Sequence, residues 1–143
     1  MTNSSSLSSA TPSRVSPAVS VLLVDDEATV RHFAARVLER EGYRVVQASD
    51  GAEALSLVRA EEMPVDIVLS DIVMPNLNGV HLMEALSASH PDIPVILMSG
   101  YAPAELSALG IPAPCSILVK PFSADRLLAE VKRCSRKGSK PAA

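Results

Sequence analysis

From Ser20 onward, short apolar runs alternate with longer segments of helical period, and this rhythm constrains the fold more than any other feature of the chain. It is the signature of repeated β-α units closing into a parallel sheet, and five such units fit. The runs Val21 to Val24, Tyr43 to Gln47, Ile67 to Ser70, Val95 to Met98 and Ser116 to Val119 are rich in Val, Ile and Leu, as strands covered on both faces must be. Between the first two, Val30, Phe33, Ala34, Val37 and Leu38 recur at helical spacing and predict one apolar stripe, with Gly42 placed to end the helix. Ala54, Leu55 and Val58 mark a second helix, and Leu82, Met83 and Leu86 a third. A short fourth is expected around Ala104 to Leu109. A fifth follows Ser123 as N-cap and buries Ala124, Leu127, Leu128 and Val131. Right-handed crossovers then give a doubly wound sheet whose crevice lies at the carboxyl ends of the strands.

With 143 residues, 48% hydrophobic and 20% charged, the chain suits one domain with an ordinary core. A net charge of -3 removes the basic footprint of a nucleic-acid-binding surface, so no direct DNA or RNA partner is expected. The basic residues Lys132, Arg133, Arg136, Lys137 and Lys140 read as a solvated helix end and tail. No apolar run approaches a membrane span, and residues 1 to 18 read as a disordered Ser-rich leader rather than a secretory signal. Residues 19 to 136 form the expected domain and 137 to 143 a disordered tail. Cys115 and Cys134 have no framework or metal-pair spacing and are expected as free thiols in a reducing cytoplasm.

The chemistry gathers at the strand ends. The first runs into Asp25 and Asp26, the third into Asp71, the fourth into Ser99 and the fifth into Lys120. Carboxylates brought so close repel one another, and a hard cation such as magnesium resolves that while keeping coordination positions for phosphate oxygens. Asp71 suits nucleophilic attack on phosphorus, Lys120 suits neutralising phosphoryl oxygens, and Ser99 suits donating a hydrogen bond to them. Taken singly, each signal has a plainer reading. Asp25 and Asp26 are also good helix-capping residues, Asp71 precedes the turn chemistry of Asn76, Asn78 and Gly79, and Ser99 suits an ordinary strand end. His32, His81 and His90 lack ligand partners at suggestive spacing, and Met74, Met83 and Met98 read as packing.

Leu23-Val24-Asp25-Asp26-Glu27, Asp71-Ile72-Val73-Met74-Pro75, Met98-Ser99-Gly100 and Lys120-Pro121-Phe122 together resemble the motifs of response-regulator receiver domains of two-component systems, over about Val19 to Arg136. The resemblance implies a flavodoxin-like five-stranded sheet of order 2-1-3-4-5 with five helices. It implies a Mg2+ site formed by Asp25, Asp26, Asp71 and the Val73 carbonyl, phosphorylation on Asp71, assistance from Lys120 and Ser99, and a cis bond before Pro121. It further implies a cytoplasmic signalling switch rather than a turnover enzyme. The implied partners are a sensor histidine kinase or phosphotransfer protein and a downstream protein target, the domain itself being a monomer or weak dimer.

Many receivers carry an aromatic residue three positions before the lysine, where this chain has Ile117; Tyr101 is the alternative read-out residue. The Ser-Gly-Tyr form resembles stand-alone receivers and those of hybrid sensor kinases, and Met1 favours the former. Two other classes share parts of the pattern. A haloacid-dehalogenase-like magnesium phosphohydrolase would carry its nucleophile after the first strand, in an Asp-x-Asp pattern, and would need a cap. A flavodoxin-like cofactor binder would need a phosphate loop where Asp25, Asp26 and Glu27 stand. A degenerate receiver acting as a docking module is the remaining alternative.

Overall fold

A computed structural model describes residues 18–74, 76–100 and 114–138. Strands β1 (Ser20–Val24), β2 (Arg44–Ala48), β3 (Ile67–Asp71), β4 (Val95–Ser99) and β5 (Ser116–Val119) form one parallel sheet in the order β2-β1-β3-β4-β5. Among the described residues the helices are α1 (Ala28–Arg40), α2 (Gly51–Ala60), α3 (Gly79–Ser89) and α4 (Ala124–Gly138). The expected helix near Ala104 to Leu109, Tyr101, residues 1–17 and residues 139–143 lie outside the described residues. No helix among those described is long and apolar enough to cross a membrane.

Because successive strand residues point to opposite faces, the sheet sorts its side chains into two cores. Val21, Leu23, Ile67, Leu69, Ile96, Met98 and Leu118 pack on one face against α1 and α4, through Ala34, Ala35, Leu38, Leu127, Val131 and Cys134. Leu22, Val24, Val68, Val95 and Leu97 pack on the other against α2 and α3, through Ala54, Val58, Leu82, Met83 and Leu86. Both faces of β1, β3 and β4 are therefore dry, which is why their sequences are apolar runs rather than alternations.

The helix ends follow local chemistry. Asp50 caps α2 by accepting from the Glu53 N–H at 2.8 Å, Asn78 caps α3 through the His81 N–H at 2.9 Å, and Ser123 caps α4 through the Arg126 N–H at 3.1 Å. After α1 the chain reverses at Gly42, whose φ of 94° suits a residue without Cβ, and its N–H donates to the Glu39 carbonyl at 3.0 Å.

Two expectations are corrected. Phe33 is not in the core but 44% exposed, and Ala35 is buried instead. The two stand about 200° apart around a helix, so a helix that seats Ala34, Ala35 and Leu38 on the sheet turns Phe33 outward. Nor are the cysteines free thiols: Cys115, just before β5, and Cys134, in α4, form a disulfide across a Cα–Cα distance of 6.0 Å. Their separation of 19 residues carries no framework signal, because the pairing is set by α4 packing back along β5. The thiols therefore give no argument about compartment.

Candidate functional site

Parallel strands deliver their last residues to one rim, and the register fixes how close they come. Asp71 is the final residue of β3 and pairs with Met98 of β4, while the following Ile72 N–H donates to the Met98 carbonyl at 3.1 Å. Asp25 directly follows β1, and its N–H donates to the Ala48 carbonyl of β2 at 3.2 Å. Ser99 ends β4 with 2% exposure, and its carbonyl accepts from the Lys120 N–H at 2.7 Å. Backbone ladders thus place the Asp25, Asp71, Ser99 and Lys120 main chain before any side chain is considered.

The side chains complete a compact charged cluster. One carboxylate oxygen from each of Asp25, Asp26 and Asp71 lies within 4.8 Å of the others. Asp25 is fully buried, Asp71 half-buried and Asp26 exposed, so the cluster opens to solvent on one side. The Lys120 Nζ reaches over it, 3.2 Å from Asp71 Oδ2 and 3.4 Å from Asp25 Oδ2. The Asp25 and Asp26 pair does not cap α1 through its side chains. Asp25 Oδ1 instead accepts from the Glu27 N–H at 2.9 Å, a tight local turn that keeps its other oxygen directed at Lys120.

Electrostatics at the rim are unbalanced. Burial, followed by the nearby charge of Asp25, raises the Asp71 pKa above the ordinary carboxylate range, against the opposing pull of Lys120 and the Ile72 N–H. For Lys120, burial alone would lower the pKa, but Asp71 and Asp25 together outweigh it and the ammonium is held above its usual value. One ammonium among three carboxylates leaves negative charge in excess. An all-oxygen donor set, with an exposed flank for waters or phosphate oxygens, fits a hard divalent cation.

Val73 lies two residues beyond Asp71 on the same rim and is 68% exposed. The Lys120–Pro121 peptide bond is cis. Ile117 is half-buried in β5 opposite Leu97, well below the rim, and Tyr101 lies outside the described residues. Beside Lys120 a cleft of about 550 Å³ is lined by Thr29, Val30, Phe33, Pro121 and Phe122.

Three supports escaped the sequence reading. Arg31 of α1 donates from Nη1 to the Asp25 carbonyl at 2.6 Å and from Nε to Gln47 Oε1 at 3.1 Å, tying β1, α1 and β2 together under the acids. Asn76, at a φ of 71°, donates to the Asp50 carboxylate at 2.7 Å, so the cap of α2 also anchors the loop after Asp71. Gly79 packs directly on the Asp71 backbone, where a Cβ would collide with the carbonyl oxygen, and its N–H donates to the Ile72 carbonyl at 2.9 Å. Turn chemistry at Asn76 and Gly79 was legible; their partners, folded in from other segments, were not.

Known proteins share this fold. The response regulator receiver domain, as a family, matches residues 21–132. Over 125 residues the chain is 42% identical to the sensor kinase CckA of Brucella abortus, covering 86% of this chain and 13% of that protein. It is 32% identical to the response regulator receiver protein CpdR of the same organism, covering 79% of this chain and 93% of that one. Among solved structures, the receiver domain of the hybrid histidine kinase CckA superposes with a TM-score of 0.68 at 32% identity, covering 82% of this chain and 99% of that one. The Vibrio cholerae chemotaxis protein CheY4 superposes with a TM-score of 0.73 at 29% identity, with the same coverages.

Proposed function

Because the chain belongs to the response-regulator receiver family, we propose that it is a phosphorylation switch in which Asp71 accepts a phosphoryl group in a magnesium-dependent reaction. The observation that carries this reading is the meeting of Asp25, Asp26, Asp71 and Lys120, drawn from three strand ends, around one open pocket.

Asp26, an oxygen of Asp71 and the Val73 carbonyl would hold the cation directly, with Asp25 acting mainly through bound water. Bound magnesium supplies positive charge against the acids and against the phosphoryl oxygens. An Asp71 carboxylate oxygen attacks phosphorus; the oxygen–phosphorus bond forms as the bond from phosphorus to the donor's imidazole nitrogen breaks, and the imidazole leaves. Lys120, released from Asp71, neutralises an oxygen of the transferred group, and Ser99 donates its hydroxyl to another. The chain contributes position and charge, so its own catalysis is confined to its own phosphorylation and to hydrolysis of the resulting acyl phosphate. The donor is a phosphohistidine on a sensor kinase or phosphotransfer protein, which must approach the exposed side of the pocket. The apolar cleft beside Lys120, with Phe33 at its lip, offers that protein a surface next to the reacting atoms. The modified rim then changes affinity for a downstream protein, which requires a few kcal/mol of differential binding.

Incubating the chain with magnesium and acetyl phosphate, with intact-mass detection, tests the reading. A phosphoryl adduct on Asp71 that vanishes with chelator and in Asp71→Asn is the expected result. An adduct retained in either case would refute it, and no adduct under any condition would favour a docking module.

A further inference from the structure

The Cys115–Cys134 bridge closes a ring whose far end carries Lys120. Between the cysteines run β5, the Lys120–Pro121 turn and the first turns of α4, so the bridge covalently joins the start of the strand to the helix that follows it. The two sulfur-bearing residues differ in access. Cys134 is fully buried, in the core shared by α1, α4 and the sheet, whereas Cys115 is half-buried at the entry to β5. The seam they close also carries non-covalent ties: Ser116 Oγ donates to Glu130 Oε1 at 2.7 Å, and Arg133 Nη2 donates to the Cys115 carbonyl at 3.1 Å. With Leu127 and Val131 packed beneath, α4 retains a docking face when the covalent tie is cut.

The geometry points to a thiol–disulfide exchange site, entered at Cys115, that locks and unlocks α4 along β5. In reduction, the thiolate of a dithiol reductant attacks Cys115 Sγ, a mixed disulfide forms there, and Cys134 leaves as thiolate into the core and is protonated. The reductant's second thiol then attacks its own sulfur in the mixed disulfide and releases Cys115, so the reductant ends as a disulfide and the chain gains two electrons and two protons. Oxidation runs the reverse way, with a low-molecular-weight disulfide accepting the electrons and leaving as two thiols. Attack at Cys115 follows from access, since an external thiol approaches the half-buried residue before the fully buried one. Opening the ring restores chain freedom to the segment, which shifts the local opening equilibrium of α4 by on the order of 100-fold. A link from this lock to phosphorylation, through Lys120, rests on the acceptor reading above; the exchange chemistry does not.

The test uses the full chain, reduced with dithiothreitol and then exposed to oxidised glutathione. Alkylation and intact mass should show two reactive thiols before and none after, and quenching early should trap glutathione on Cys115 in the peptide map. Amide exchange in the second half of α4 should be on the order of 100-fold faster in the reduced chain, while β1 and β3 exchange is unchanged. Cys134→Ala should take up glutathione at least ten times faster than Cys115→Ala, and the wild-type trapping serves if Cys134→Ala fails to fold. Two thiols that stay alkylatable under oxidised glutathione, an adduct trapped on Cys134, or α4 exchange indifferent to redox state would each overturn the proposal. Acetyl phosphate labelling is read in parallel, and its absence from both redox forms would count against the acceptor alone, because alkylation decides the exchange independently.

Discussion

The two ends of β5 handle charge in opposite ways. At its carboxyl end, Lys120 faces Asp25 and Asp71 with Asp26 beside them, a cluster two positive charges short of balance. Near its amino end, the single carboxylate of Glu130 is met by the Ser116 hydroxyl and the Arg133 guanidinium, with Arg126 a turn away on the same helix. Burial and a like charge raise the Asp71 pKa, whereas hydrogen bonds from Ser116 and Arg133 lower that of Glu130. A cluster that satisfies itself holds structure together, while one left short of charge is organised for something that arrives from outside.

Removing Lys120 breaks the contrast most sharply. Lys120→Ala should slow acetyl phosphate labelling of Asp71 by about 100-fold, read by mass against time, because it removes the one ammonium that, among the described residues, pairs with the Asp71 carboxylate. Should the rate be unaltered, Lys120 serves the fold rather than the transfer. Gly79→Ala comes next: a Cβ there meets the Asp71 carbonyl, so α3 or the end of β3 must shift, at a cost of about 2 kcal/mol in urea unfolding. A smaller effect of opposite sign is expected for Asp71→Asn in the absence of magnesium. Since its raised pKa means that the folded state disfavours the charged form, a neutral isostere should stabilise the chain in urea unfolding at pH 7, and saturating magnesium should erase or reverse the gain.

The smallest effect belongs to Glu130. A carboxylate whose folded pKa is lowered contributes stability that is complete above its ordinary value and is lost as pH falls through the lowered one. The seam between α4 and β5 should therefore loosen as pH falls below the ordinary glutamate value, and Glu130→Gln should flatten that part of the stability profile in pH-dependent urea unfolding. An unaltered profile in the variant would leave the seam to its apolar contacts and its disulfide.

What the sequence disclosed follows the range of the interactions involved. Strand runs, the cap at Ser123 and the reversal at Gly42 are local, and each lies where periodicity and turn chemistry place it. The rim acids and Lys120 were visible because parallel topology alone sends every strand end to the same side. Phe33 was misplaced because a helical stripe does not reveal which of its flanks rests on the sheet, a matter settled by the small residues Ala34 and Ala35. The Asn76–Asp50 contact spans 26 residues and the disulfide 19, and neither spacing says that the two segments will meet.

Asp71 terminates a strand flanked on both sides, with its neighbour's N–H bonded across to β4 and Gly79 pressed against its carbonyl. Such an acid behaves as an anvil: a group fastened to it cannot be accommodated by retreat, because retreat would shear two ladders at once. Were Asp71 modified as proposed, the yielding side would be the hammer side, the described turns after β1 and β5, and a reporter fixed in β3 would register far less than one placed there.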